Sequence, residues 1–436
     1  MTYAHGLGGG SDLPIPANFA ILGGTAALVV SFAVLLLAWR RSVLEDGTRR
    51  ALVPERFAAV LDGAAFAITL RVLGLLVFGY TAYAAVLGPD LLSNPTFGVF
   101  YVWLWVGIVP ASLLFGRFYR AISPARTLHL VVARLTGSDP GRGVLELPRW
   151  VGYWPAAVGL FAFVWLELVY PLSTYLGPVR LWFVIYLAAM LVGGALFGDR
   201  WLERADPFEV YSTLLAHLSV WGRDEQGRLV VTSPLRNLTR IEPAPGLVAT
   251  VAVLLGSTAW DSYRESPTWV RFSQTISQPT LVDTGMLLGF AVLVGAVFTL
   301  ATGFLPREVE DRRLVPRRMA HSVVPIVVGY MVAHYLTFFV EVGQRTLAQM
   351  SDPMVTGANL FGTADLQINY WLSEHPTFLA TVKVLAIVLG HVVGVIAAHD
   401  RALRLLPARL HVTGQLGLLA VMVLYTFGGL YLLFGA

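Results

Sequence analysis

The sequence predicts an all-α fold, a polytopic transmembrane helix bundle of about ten spans with both termini on the non-cytoplasmic side. Three observations predict it. The 436 residues are 56% hydrophobic and only 13% charged, whereas an ordinary soluble domain carries about 25% charged residues. Apolar runs of near-membrane length recur along the whole chain. The basic residues fall into alternate gaps between those runs. In water such a chain would expose large apolar patches and aggregate; a bilayer, itself apolar, removes that penalty. No Gly/Ser-rich or Pro-rich linker divides the chain, so 1–436 reads as a single integral membrane domain with the lipid bilayer as its first partner.

A helix needs about 20 apolar residues to cross the hydrocarbon core. The windows that qualify lie near 17–39, 64–88, 96–117, 150–172, 179–198, 247–263, 284–305, 319–341, 376–398 and 413–434. The sixth is the weakest: it follows Pro243 and Pro245 and runs into Asp261, so a tilted or broken helix is open there. The gaps then test the windows. Arg40, Arg41, Arg49, Arg50 and Arg56 follow the first, none lies in 89–95, and six arginines follow the third. Carried to the end, the alternation places twenty-five basic residues on one face and four on the other, with Arg71 and Lys383 inside spans. Cytoplasmic loops carry the excess of Lys and Arg. The N-terminal segment 1–16, the loop 342–375 and the C-terminus therefore fall outside.

Two cytoplasmic segments, 126–136 and 206–221, alternate apolar and polar residues as interfacial amphipathic helices do. A net charge of +4 does not signal nucleic acid, because the arginines sit between apolar runs rather than in a basic stripe with interleaved aromatics. The chain has no cysteine, which excludes thiolate metal sites and Cys nucleophiles. Met1–Pro16 has neither a basic n-region nor an apolar h-region, so an uncleaved signal peptide is not expected there.

Ionisable residues inside the spans say most about function, because each costs roughly 2.5–3.5 kcal/mol at mid-bilayer. Glu167, Asp261, His334, Glu341, Lys383 and His391 all fall toward the outer half of their spans; Arg71, His321, His399 and Asp400 lie toward the cytoplasm. His334 and Glu341 are seven apart and share a helix face, and Lys383 and His391 are eight apart. The expectation is an outward-facing polar cavity. Histidine with carboxylate is the ligand set of a hydrolytic metal centre. His334, His391 and Asp261 are the candidate ligands of a divalent metal, with Glu167 and Lys383 as candidate catalytic groups. No tight spacing such as His-Glu-x-x-His supports this, and a neutralised structural pair or a proton path uses the same residues. His5 and Asp12, in the Gly-rich stretch before Pro14 and Pro16, are secondary candidates. So are Asp352, Asp365 and His375 in the long outer loop, a length of loop that is often functional.

Several segments carry a resemblance: His5-Gly6…Asp12-Leu13-Pro14-Ile15-Pro16, Trp154-Pro155-Ala156-Ala157…Trp165-Leu166-Glu167-Leu168, Phe208-Glu209-Val210-Tyr211, Leu255-Gly256-Ser257-Thr258…Asp261, His321-Ser322-Val323-Val324-Pro325, Ala333-His334-Tyr335, Gly362-Thr363-Ala364-Asp365, Gly390-His391-Val392-Val393-Gly394 and Ala398-His399-Asp400-Arg401. In these the chain resembles a family of bacterial polytopic membrane proteins labelled fenitrothion hydrolase. The resemblance implies a bacterial cytoplasmic-membrane location and hydrolysis of an organophosphate ester; it brings no assigned active site. Three functions are thus expected to compete: a membrane-embedded hydrolase of apolar phosphoesters, a transporter or ion or proton pathway through the same cavity, and a non-catalytic subunit or assembly factor. The third would pack against membrane-protein partners or a second copy through Gly193-Gly194 and Gly428-Gly429.

Overall fold

In a computed structural model of the chain, which describes residues 12–45, 50–306, 308, 309 and 311–434, 71% of the residues are helical. Seven helical segments are long and apolar enough to cross a membrane: Ala17–Ala38, Ala64–Leu87, Leu176–Phe197, Pro279–Gly303, Arg312–Met350, Pro376–Leu405 and Thr413–Phe434. An eighth is a pair, Pro95–Leu104 and Ile108–Phe115, bent by 46°. The chain is a helical membrane protein.

Of the other two expected spans, one is shorter than its window and the other fills its own. Residues 150–172 yield a helix only over Trp154–Leu168, about 22 Å at 1.5 Å per residue. Pro171 sets its end, because the residue before a proline avoids the helical region. Residues 247–263 form a continuous helix, Leu247–Arg264, unbroken at Gly256. A Cβ on Gly256 would stand 2.6 Å from the Ala291 Cα, so glycine there sets the approach of the Pro279–Gly303 helix.

The chain divides into two compact units, each assembled from separated stretches: Met1–Thr48 with Pro234–Phe338 and Tyr370–Ala436, and Arg49–Ser233 with Phe339–Asn369. In the first, Val324–Thr337 lies along Pro376–Leu405. A Cβ on Gly329 would meet the Ala386 carbonyl at 2.4 Å, and one on Gly390 the Pro325 carbonyl at 2.7 Å. Small residues let helix backbones close in where lipid offers no hydrophobic drive to associate. Ile21, Ala333, Ala380, Ile387 and Leu430 fill the core beside this crossing. At the far end of the long helix, Asp400 gathers the segment that follows the first helix, accepting from Ser42 Oγ at 2.8 Å, the Val43 and Leu44 amides at 2.7 and 3.3 Å, and the Trp39 indole at 3.1 Å. His399 beside it bonds the Trp39 carbonyl and Gln415. Neither residue is a loose interfacial polar group.

The second unit has an aromatic core of Phe100, Trp105, Phe163, Trp182, Phe208 and Tyr211. It also carries a small antiparallel sheet in the order Ala51–Leu52, Leu229–Val231, Trp221–Arg223. Pro207–Ala216, expected on a surface as part of 206–221, is buried at every residue but Thr213. Its apolar side chains pack on the aromatic core, and its polar side is taken up by Glu209. Arg126 grips that carboxylate bidentately, Nε to Oε2 at 2.9 Å and Nη2 to Oε1 at 2.7 Å. Arg126 is the buried face of the other amphipathic segment, the helix Pro124–Leu135. The glycine faces expected to receive a partner are largely occupied from within. Gly193 lies under Trp201, Gly194 under His129 and Gly429 under Tyr330, while Gly428 is open.

Candidate functional site

Two adjacent pairs in the sequence, Asp261-Ser262 and His334-Tyr335, meet in the first unit. Asp261 and Ser262 close the Leu247–Arg264 helix, and His334 and Tyr335 lie in Val324–Thr337. One carboxylate oxygen of Asp261, Oδ2, takes both bonds from the second helix: His334 Nε2 stands 2.8 Å away, and the Tyr335 hydroxyl donates at 2.7 Å. The other oxygen faces Arg264 Nε, one turn on, at 4.0 Å. The second ring nitrogen, Nδ1, lies 3.3 Å from Ser262 Oγ. Asp261, Ser262, His334 and Tyr335 are at most 3% exposed.

The partners fix where the protons are. An ionised carboxylate only accepts, so Nε2 carries a hydrogen toward Asp261 and a neutral ring presents Nδ1 as an acceptor to the Ser262 hydroxyl. One further proton has an address, Nδ1, with Asp261 beside the ring to balance the imidazolium. The cluster is linked outward by charge. Arg264 also acts on Asp283, and Lys383, 2% exposed, feels Asp12 and Glu265.

The remaining sequence candidates are placed as follows. His391 is fully buried but does not complete a metal triad with Asp261 and His334. Its Nδ1 bonds its own helix at the Ile387 carbonyl, 2.9 Å, and its Nε2 is buried with no hydrogen-bond partner. Among the described residues no three of His, Asp and Glu gather closely enough to hold a metal ion. Asp261 and His334 instead bond one another, with Tyr335 and Ser262 on the remaining sides. Glu167 belongs to the second unit, at the end of Trp154–Leu168, where its charge acts on Tyr101 and Tyr211. Glu341 lies in the π-helical segment Phe338–Val342 and belongs to the second unit. Asp365 is exposed in a loop turn, Asp352 caps the amides of Thr356 and Gly357, and His375 stacks on Trp371. His5 lies outside the described residues. The void lined by Thr302, Met319, Ala402 and Gln415 contains none of these candidates.

The chain matches no protein-family model, no curated protein and no solved structure. The site therefore stands on its own geometry. Ser262 and Tyr335 were missed in the sequence because a single hydroxyl in a span costs little and attracts no notice. The signal that points to them is adjacency, since each sits beside a residue that was singled out.

Proposed function

We propose that the protein is a proton-handling membrane protein, in which the Asp261–His334 pair takes up and releases a proton as part of moving an ion or small solute across the bilayer. The observation that carries this reading is the single carboxylate oxygen shared by an imidazole and a phenol, closed at the other ring nitrogen by a hydroxyl. Such a group holds one extra proton without an uncompensated charge in a low-dielectric setting, where an isolated ion is expensive. In this reading the chain crosses the bacterial cytoplasmic membrane ten times, as the twenty-five to four division of basic residues implies. The Trp154–Leu168 and Leu247–Arg264 helices are then its two short spans, and both termini lie outside.

The test is proton flux in proteoliposomes carrying a pH-sensitive dye inside. Imposed ion and pH gradients should drive flux through the wild-type protein, and Asp261→Asn or His334→Gln should lose it by an order of magnitude or more. Flux equal in all three proteins refutes the proposal.

A second reading, ester hydrolysis, is favoured by one observation: Ser262 Oγ, His334 and Asp261 stand in line as nucleophile, base and orienting acid do. Ser262 Oγ would bond to phosphorus as the bond to the aryl oxygen breaks, its proton passing to Nδ1 and then to the departing phenoxide; a water, deprotonated by the same imidazole, would then cleave the phosphoserine, in keeping with the resemblance to organophosphate hydrolases. Ser262→Ala separates the readings. It should abolish release of the phenol from an aryl phosphotriester if hydrolysis is the function, and leave proton flux largely intact if transport is.

A further inference from the structure

The second unit buries a carboxylate of its own. Asp206, 0% exposed, joins the helix Asp199–Ala205 to Pro207–Ala216. Its Oδ1 caps the second helix, accepting from the Phe208 and Glu209 amides at 3.0 and 3.2 Å. Its Oδ2 accepts from the Tyr186 hydroxyl at 2.9 Å. That hydroxyl lies 3.1 Å from the Tyr119 hydroxyl, which reaches Ser123. Ser123 in turn caps the helix Pro124–Leu135, accepting from the Arg126 amide at 3.3 Å. A line of buried hydroxyls therefore joins the caps of two helices, and the same two helices are clamped directly by Arg126 and Glu209.

We propose that Asp206, Tyr186, Tyr119 and Ser123 form a pH-sensitive switch, in which a proton taken up by Asp206 reverses the direction of the hydroxyl line. With Asp206 ionised, Tyr186 donates to Oδ2 and Tyr119 donates to Tyr186. With a proton from solvent on Oδ2, that oxygen donates to Tyr186, Tyr186 turns to donate to Tyr119, and Tyr119 donates to Ser123. The caps stay satisfied in both states, because Oδ1 keeps its two amides. The change is therefore a reorientation rather than a melting.

The surroundings set the switch near neutrality. Burial raises the Asp206 carboxyl most, the charge of Glu209 on its own helix adds to that, and the two amides and Tyr186 oppose; the balance lies at about 7. Arg126, on Pro124–Leu135, is committed to Glu209 and Asp199. Arg120, next to Tyr119, is engaged by Glu203 of the preceding helix and by Glu209. Arg204 of that helix lies over the Tyr153 ring. No cation in direct contact with Asp206 is seen among these groups.

Trp182 reports on the line, since its ring stacks on Tyr186 at 5.2 Å and 11°. Full-length protein in nanodiscs is titrated from pH 5 to 9 by tryptophan fluorescence, with Trp182→Phe subtracted, and by the infrared carbonyl stretch of a protonated carboxyl group. Both signals should move with a midpoint near 7 in the wild type and in Asp261→Asn, and both should be absent in Asp206→Asn. Tyr186→Phe removes a donor that favours the ionised form, so its infrared midpoint should rise; this variant keeps the cap and guards against misfolding of Asp206→Asn. A transition that survives Asp206→Asn, or is lost in Asp261→Asn, or an unmoved midpoint in Tyr186→Phe, overturns the proposal. None of these readouts depends on proton flux, so the switch and the Asp261–His334 reading fail separately.

Discussion

Removing either half of the Arg126–Glu209 pair should destabilise the protein, and the two removals should differ. Glu209 is 1% exposed and depends on Arg126 for both oxygens; its remaining cation, Arg120, is 3.5 Å away. Arg126→Met therefore strands a buried carboxylate. Breaking a buried pair from one side costs about 3–5 kcal/mol, and the upper part of that range is expected. Glu209→Gln leaves Arg126 with Asp199 at 3.1 Å, a partner whose side chain is 39% exposed and so partly hydrated. The glutamine also keeps an acceptor for Nε. That loss should be nearer 2 kcal/mol, on the scale of hydrogen bonds to charged groups. The double variant Arg126→Met/Glu209→Leu removes both charges and should cost less than Arg126→Met alone, because well-packed apolar replacements of buried pairs are often close to neutral. The assay is reversible denaturation in mixed micelles, read as unfolding free energy for the wild type, two single variants and the double. Equal losses from the two single variants, or a double variant less stable than Arg126→Met, would refute the reasoning.

Three further outcomes follow from the contacts. Gly329→Val should disrupt the first unit, because a Cβ at 2.4 Å from the Ala386 carbonyl forces two helices apart; a lower melting temperature in detergent and loss of proton flux are expected together. Asp400→Ala should cost about 3 kcal/mol, the order expected when a buried charged acceptor of several donors is removed, and limited proteolysis should then cut between Trp39 and Glu45. The last concerns pH. The folded-state value of Asp206, about 7, lies above an unfolded value near 3.9, so its contribution to stability is full below about pH 4 and is lost as pH rises through 7. About three units amount to roughly 4 kcal/mol. In urea titrations of the micelle-bound protein across this window, Asp206→Asn should flatten the slope. An asparagine still caps the helix, since Asn and Asp are comparable there.

The helical membrane class was legible because it rests on averages: composition and apolar run length survive any error about a single residue. The limits appear where one local feature outweighs the average. Pro171 shortens the helix at 150–172 although that window is apolar but for Glu167. Pro207–Ala216 reads as amphipathic, yet its polar side faces Arg126 rather than water, and a pattern of polarity does not say which polar partner will come. At the site, depth alone grouped Asp261 with His334 correctly. Depth equally grouped them with His391, whose Nδ1 turns to its own helix, and with Glu167, which belongs to the other unit. Helix azimuth and unit membership decide between these, and both depend on contacts such as Gly329 against Ala386 that no periodicity displays.

The burial of the Asp261 cluster bears on which of the two readings its residues serve. A serine nucleophile works when its base can take the proton and then give it to a leaving group that has room to depart, so the imidazole must face substrate. Here Ser262 on Nδ1 and Asp261 on Nε2 keep the order of a triad, but Asp261, Ser262 and His334 are at most 3% exposed, so the hydroxyl does not face a space that a phosphotriester could enter. A proton needs no such room. It requires only an acceptor with a charge-balancing neighbour, and an alternating partner that can accept when the ring donates, which the Ser262 hydroxyl supplies in either direction. Hydrolysis at this serine demands that Val324–Thr337 and Leu247–Arg264 separate; proton exchange demands only that the hydroxyl turn. The two variants differ accordingly. Ser262→Ala should slow proton exchange modestly, because it removes a relay partner while leaving the balanced pair, whereas Asp261→Asn removes the counter-charge and should stop it.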